Sequence, residues 1–126
     1  MSETMAVGKR LVELCNAGKF KEAMEELYSH HIVSVEPHGG PNMPARMEGI
    51  EAIRGKGEWW EANHEIHAVE VVGPWPHGDR FIVRMTMDVT AKGGPMAGNR
   101  FKMDEAALYT VKDGKITMEE FFYSMG

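Results

Sequence analysis

The chain contains a single cysteine, Cys15, so it can form no internal disulfide. That usage fits a reducing cytosol, and a cytoplasmic location is the expectation. No apolar run approaches the roughly 20 residues needed to span a bilayer. Residues 1–10 lack the apolar stretch of a secretory signal. Positive charge is in deficit: 14 Lys and Arg against 19 Asp and Glu give −5, with no Lys/Arg-rich run. This balance argues against nucleic acid and against an anionic membrane as partners. The six His and one Cys show no metal-ligand spacing, so neither a metal nor a cofactor is expected. Internal repeats, linkers and low-complexity segments are also missing.

What remains is the composition of one ordinary globular domain across all 126 residues, 43% apolar and 26% charged. Eleven methionines are more than usual. Flexible thioethers fill irregular spaces, so they point either to plain core packing or to an adaptable apolar pocket.

Residues 3–15 carry Met5, Val7, Leu11, Val12, Leu14 and Cys15 at roughly helical spacing. Asn16-Ala17-Gly18 should stop that helix, with Gly18 as a left-handed cap. A second helix follows, with Phe20, Ala23, Met24 and Leu27 on one side and Lys21, Glu22, Glu25 and Glu26 on the other. Residues 32–36 read as a short strand ended by Pro37. Residues 37–44 hold three prolines, Gly39-Gly40, His38 and Met43, which excludes regular structure and leaves a connecting loop or a lid over a pocket. Residues 49–63 form a third helix with Ile50, Ile53 and Trp60 on one face. Gly55 and Gly57 weaken its middle by about 1 kcal/mol each, which a close approach to another backbone would explain.

Residues 65–72 alternate as a strand that Gly73-Pro74-Trp75-Pro76-His77-Gly78 should break. Residues 80–90 alternate cleanly, with Phe81, Val83, Met85, Met87 and Val89 opposed to Arg80, Arg84, Thr86, Asp88 and Thr90. Residues 101–123 are two apolar-rich runs joined at Lys112-Asp113-Gly114-Lys115, and Asp-Gly is a strong hairpin signal because both residues tolerate positive φ. Segregated helices followed by long meandering strands mean α+β, with helices filling one concave face of a curved antiparallel sheet.

Three segments carry a family resemblance. LVELCNAGKFKEAMEELYSHHIVSVEP, MEGIEAIRGKGEWW and ALYTVKDGKITMEEFFY resemble the opening, the third helix and the terminal hairpin of the nuclear transport factor 2-like superfamily. That superfamily includes the SnoaL-like polyketide cyclases and the ketosteroid isomerases. The resemblance implies a cone-shaped fold of the SnoaL-like branch, commonly dimeric through the outer face of the sheet. It also implies an apolar pocket for a small hydrophobic molecule. Ketosteroid isomerases carry a carboxylate base before a proline after the first strand, and that position here is Glu36. Their two oxyanion donors fall on Leu11 and near Ala107, so both are missing, which argues against steroid isomerase activity. The Arg-x-Asp pattern of limonene epoxide hydrolases is not met, because Arg84 and Asp88 are four apart.

Glu105, Glu119 and Glu120 sit among residues that should be buried, where a carboxylate is costly unless paired or used. A three-residue turn with a glycine bulge would set Glu119 near Ala107 and Phe121 near Glu105. Glu105, Ala107, Tyr109, Glu119, Phe121 and Tyr123 would then share the cone-facing side. A strict two-residue turn would instead set Glu119 against Leu108, since a slip of one residue exchanges the faces. Two carboxyls close together in an apolar site cannot both ionise cheaply, which suits one as a general acid. The alternatives are an ion pair with Arg84 or Arg100, or a place at a dimer interface.

The candidate catalytic residues are therefore Glu36 as base, Glu119 and Glu105 as acid or orienting groups, and His67 as a proton-transfer partner. Trp60, Tyr109, Phe121, Tyr123, Met103 and His31 are the candidate ligand-binding residues. The expected activity is cofactor-free isomerisation, cyclisation or dehydration next to a carbonyl. A non-catalytic binding or dimerisation module is the alternative.

Overall fold

Val7, Leu11, Leu14 and Cys15 form the buried stripe of α1 (Glu3–Asn16) in a computed structural model that describes residues 3–40 and 44–124. Gly18 then takes φ 75° and releases the chain into α2 (Phe20–Leu27), which buries Ala23 and Leu27. β1 (Tyr28–Val35) follows without a loop, so it starts earlier than the expected 32–36. A short strand that periodicity does not announce, β2 (Arg46–Glu48), pairs antiparallel with it, Val33 opposite Glu48 and Val35 opposite Arg46. Three residues are too few for an alternation to register. Residues 41–43 of the expected loop or lid, Met43 included, lie outside the described residues.

α3 (Ile50–Asn63) buries Ile50 and Ile53. The expected close backbone approach at its glycines does not occur. A Cβ on Gly55 would meet nothing within 4 Å, and one on Gly57 only the Met24 side chain at 3.9 Å.

β3 (His64–His77) runs straight through Gly73-Pro74-Trp75-Pro76, where a break is expected from sequence. A register slip against its neighbour between Val72 and Trp75 absorbs the irregularity. As an edge strand, β3 also has a side without a partner, where two missing N–H donors are tolerated. β4 (Arg80–Ala91), β5 (Arg100–Lys112) and β6 (Lys115–Phe122) complete a six-stranded sheet ordered β2-β1-β6-β5-β4-β3. Every pairing is antiparallel except β1 with β6. Among the described residues three helices pack against this curved, unclosed sheet, which is the cone-shaped α+β fold.

The core is the inward row of β4, with Phe81, Val83 and Val89 at 1% exposure or less, together with Ile32, Ile116 and the residues of α1. Phe81 stacks on Tyr109 at 4.9 Å between centroids. α1 crosses β3 so closely that a Cβ on Gly8 would lie 2.8 Å from the Pro74 Cβ and 3.3 Å from the Phe81 ring. Gly8→Val is therefore expected to destabilise the fold by about 1–3 kcal/mol through overpacking. Urea unfolding midpoints would measure it, and an unchanged midpoint would show that α1 can shift freely.

The terminal hairpin turns on two residues. Lys112 pairs with Lys115, while Asp113 and Gly114 take φ 52° and 75°. One turn later β6 bulges: Val111 pairs with Ile116 but Thr110 with Met118, so Thr117 has no opposite number. Glu119 consequently faces Tyr109, and Phe121 faces Ala107, rather than the partners a three-residue turn would give.

Candidate functional site

The alternation of β1 sends Ile32 and Ser34 inward, both 0% exposed, and Glu36 follows at the same parity. On α3, Lys56 lies three residues beyond Ile53 and four before Trp60, so it shares their inward face. Its Nζ donates to Glu36 Oε2 at 2.5 Å and to Ser34 Oγ at 2.9 Å. The ammonium also lies 5.1 Å from the centroid of the Phe121 ring. Tyr123 donates its hydroxyl to the other oxygen, Glu36 Oε1, at 2.8 Å. Both oxygens of Glu36 are thus held, and the Lys56 and Glu36 side chains are only 18% and 19% exposed.

Glu105 extends from the same side of β5, opposite Met85. Burial raises its pKa from an ordinary 4.5 to about 7; the Glu36 and Glu119 charges add to the rise and Lys56 opposes it. Glu119 lies deeper, 4% exposed, and accepts a hydrogen bond from the Tyr28 hydroxyl. Burial raises its pKa too, against the hydrogen bonds from Tyr28 and Ser34 and the charge of Lys56. Desolvation also pushes the Tyr28 and Tyr109 hydroxyls well above their usual range. Cys15, packed nearby, is pushed up to about 12 by burial and then by Glu119, so it is an inert thiol.

The fold thus gathers Glu36, Glu105 and Glu119 on one interior face, with half-buried Met103, Phe121 and Tyr123 on the same side of their strands. Trp60 is half-buried against the core and stacks on His64 at 4.3 Å. Tyr109 is a core residue, 2% exposed, rather than an open lining residue.

Two expectations fail. His31 is exposed, because inward parity on β1 belongs to the even-numbered residues Ile32 and Ser34. His67 is exposed as well. It is the unpaired residue of a bulge between Ile66 and Ala68, with its Nε2 2.7 Å from Thr90 Oγ1, and it takes no part in the carboxyl cluster.

The arginine alternative also fails for the inner acids. Arg84 pairs with Asp104 at 2.6 Å and Arg100 with Asp88 at 2.9 Å, both pairs on the outward parity of β4 and β5. The cation acting on all three inner acids is Lys56. Sequence reasoning passed over it, together with Tyr28 and Ser34. Its signal was a lysine on the apolar face of α3.

Among the described residues, no three His, Cys, Asp or Glu side chains converge as metal ligands. No helix there is long and apolar enough to cross a membrane. Two surface hollows, about 420 and 250 Å3, lie away from these acids, one beside Phe20 and Glu61 and the other beside Trp75 and Ile82.

A curved, unclosed sheet wrapped on three helices among the described residues is the nuclear transport factor 2-like fold. The chain belongs to the SnoaL-like domain family, whose model matches residues 2–123. A Mesorhizobium loti protein proposed to be a SnoaL-like polyketide cyclase is 42% identical, with a TM-score of 0.88 over 98% of this chain and 100% of the other. A Bacillus subtilis protein proposed to be an isomerase shares the fold at 16% identity, with a TM-score of 0.76 over 98% of this chain and 90% of its own. A Pseudomonas putida protein proposed to be a polyketide cyclase does so at 19% identity, with a TM-score of 0.73 over 99% and 93%. No curated protein matches the chain.

Proposed function

We propose that the protein takes a small hydrophobic carbonyl compound against its inner acids and performs cofactor-free acid–base chemistry on it. The reaction class is isomerisation, cyclisation or dehydration beside the carbonyl. The observation that carries this is the division of labour between two carboxyls on one face. Glu36 has a donor on each oxygen, and Glu105 holds its proton up to about 7. A carboxyl that keeps its proton beside a hydrogen-bonded carboxylate gives one site a proton donor and a proton acceptor. Glu36 takes the proton next to the carbonyl, and Glu105 donates to the carbonyl oxygen or to a departing hydroxyl. Glu119, held by Tyr28, orients the interior and does not exchange protons with substrate. Methionine side chains at Met85, Met87 and Met103 suit an adaptable apolar surface for the ligand.

The test is deuterium exchange at the α-carbon of a small cyclic ketone in heavy water, followed by NMR with and without the protein. Acceleration that depends on Glu36 supports the reading; a rate equal to buffer sinks it. The second reading, a non-catalytic binding or dimerisation module, draws on Glu119, whose hydrogen bonds are satisfied within the protein.

The partner proposed for the outer sheet face is a second copy of the chain. Val72, Trp75, Ile82 and Phe122 are each more than 40% exposed there. Arg84–Asp104 beside them, and Arg100–Asp88 farther along the same face, offer both signs of charge, which a two-fold contact can match with itself. Ile82→Glu is expected to turn a dimer into a monomer in sedimentation equilibrium; an unchanged mass would remove this face as the contact. Nucleic acid and membranes are not proposed as partners. A cytosolic setting fits the buried, unpaired Cys15.

A further inference from the structure

Removing a proton beside a carbonyl leaves a negative oxygen, and its stabilisation is usually the largest catalytic contribution. The two positions where the resemblance would put donors for that oxygen are Leu11 and Ala107, apolar and 2% and 0% exposed. Lys56 is the alternative that the geometry supplies. We propose that Lys56 is the oxyanion partner of this site, and that its substrate is an uncharged carbonyl compound with an enolisable C–H. This rests on the acid–base function of Glu36 proposed above.

The charges explain why. At rest the Lys56 ammonium is engaged by the Glu36 carboxylate at 2.5 Å. When Glu36 takes the α-proton, the C–H electron pair becomes the C=C bond and the carbonyl π pair moves onto oxygen. Glu36 becomes neutral in that same step, and the negative charge reappears on the substrate. Lys56 can then exchange one anion for another without any change in net charge. Returning the proton from Glu36 to the α-carbon, or to the γ-carbon where the enolate is conjugated with a C=C bond, restores the carbonyl and the original pair, with no other reactant consumed.

Two contacts hold the ammonium regardless of the state of Glu36: the Ser34 hydroxyl at 2.9 Å and the Phe121 ring at 5.1 Å. A substrate that arrived as a carboxylate would compete with Glu36 for Lys56 before any chemistry and would add an anion beside Glu105. A cation would find Lys56 opposing it. An uncharged ligand avoids both costs and creates its charge only where Lys56 can meet it, the condition for stabilising a transition state more than a ground state.

The test uses 4-nitrophenol, whose phenolate mimics an enolate oxygen and reports its own ionisation by absorbance, and 4-nitroanisole, the same shape without an ionisable oxygen. Both are titrated at neutral pH into the native protein, Lys56→Met and Glu36→Gln. The native protein is expected to bind both probes. Lys56→Met should lose phenolate affinity by about tenfold or more, the range of a hydrogen bond to a charged group, and keep that for nitroanisole. Glu36→Gln, which imitates the protonated base, should bind the phenolate more tightly than the native protein by a similar factor. If Lys56→Met proves unstable by thermal melting, the Glu36→Gln arm decides alone.

Equal phenolate binding by native and Lys56→Met proteins, or no gain in Glu36→Gln, overturns the role of Lys56. Nitroanisole binding together with Glu36-dependent exchange would then leave the acid–base function standing. No binding of either probe to the native protein overturns the role of Lys56, and exchange at the buffer rate overturns the acid–base function as well.

Discussion

Replacing Glu36 with Gln is expected to lower the rate of α-proton exchange on a bound ketone by about 10²–10⁴-fold, the usual contribution of a positioned general base. The amide keeps the size of the side chain; its oxygen can still accept from Lys56, which lies 2.5 Å from Oε2 in the native protein, while its NH2 takes the other position and can donate to the Tyr123 hydroxyl, 2.8 Å from Oε1. The effect should therefore fall on kcat, with ligand affinity for an uncharged ketone and the melting temperature little changed. Tyr123→Phe should behave differently. It removes a donor to Glu36 but leaves the carboxylate, so some activity survives it. A Glu36→Gln protein with native exchange rates would end the assignment of Glu36 as base, whatever else binds in the interior.

The second large effect is on stability against pH. In the unfolded chain Glu105 loses its proton around 4.5, whereas in the folded protein burial holds it to about 7. Between those values the folded state binds more protons than the unfolded state, so stability falls as pH rises through the window and levels off above it. The contribution is complete below 4.5 and gone above about 7, with a size of at most about 3 kcal/mol at 1.36 kcal/mol per unit. Glu119 shifts in the same direction and adds to the slope.

Glu105→Gln should therefore make the pH dependence shallower and leave the variant more stable than the native protein in mildly alkaline buffer. Urea midpoints across pH 4.5 to 8 would show it, and an unaltered slope in the variant would remove Glu105 as its source. If Glu105 is also the acid of the reaction, the native rate declines as pH rises through about 7.

The terminal hairpin shows how far sequence carries and where it stops. Asp113-Gly114 announces a turn, and a turn is there. Which acids face inward depends on a bulge at Thr117 that has no marker in the local sequence. A strict two-residue turn would have put Glu119 with Leu108 on the outer side; one extra residue in β6 restores the inward face. The parity expected from a three-residue turn is thus the observed one, reached by a different route. Similarly, Pro74 and Pro76 spell a break to local rules, but an edge strand carries them within β3.

For the site, Glu105 and Glu119 were legible as acids in apolar surroundings and Glu36 through the family resemblance, and the structure brings the three to one face. Lys56 was hidden on the face of α3 that Ile53 and Trp60 mark as apolar, while His31 and His67 stand on strands whose parity the local sequence left open. A histidine says nothing about its direction until a neighbouring strand fixes its register.

By itself the sequence determined the α+β class, the helix stripes of α1 and α2, the alternation of β4 and the position of the hairpin. Each follows from side-chain spacing or backbone preference within a few residues. Only the tertiary structure decided that Lys56 meets Glu36 across 20 residues, that Tyr28 reaches Glu119 across 91, and that the arginines serve the outer face. Those partnerships depend on where α3 lies against β1 and on one bulge in β6. They are set by the packing of the whole sheet, which no local pattern encodes.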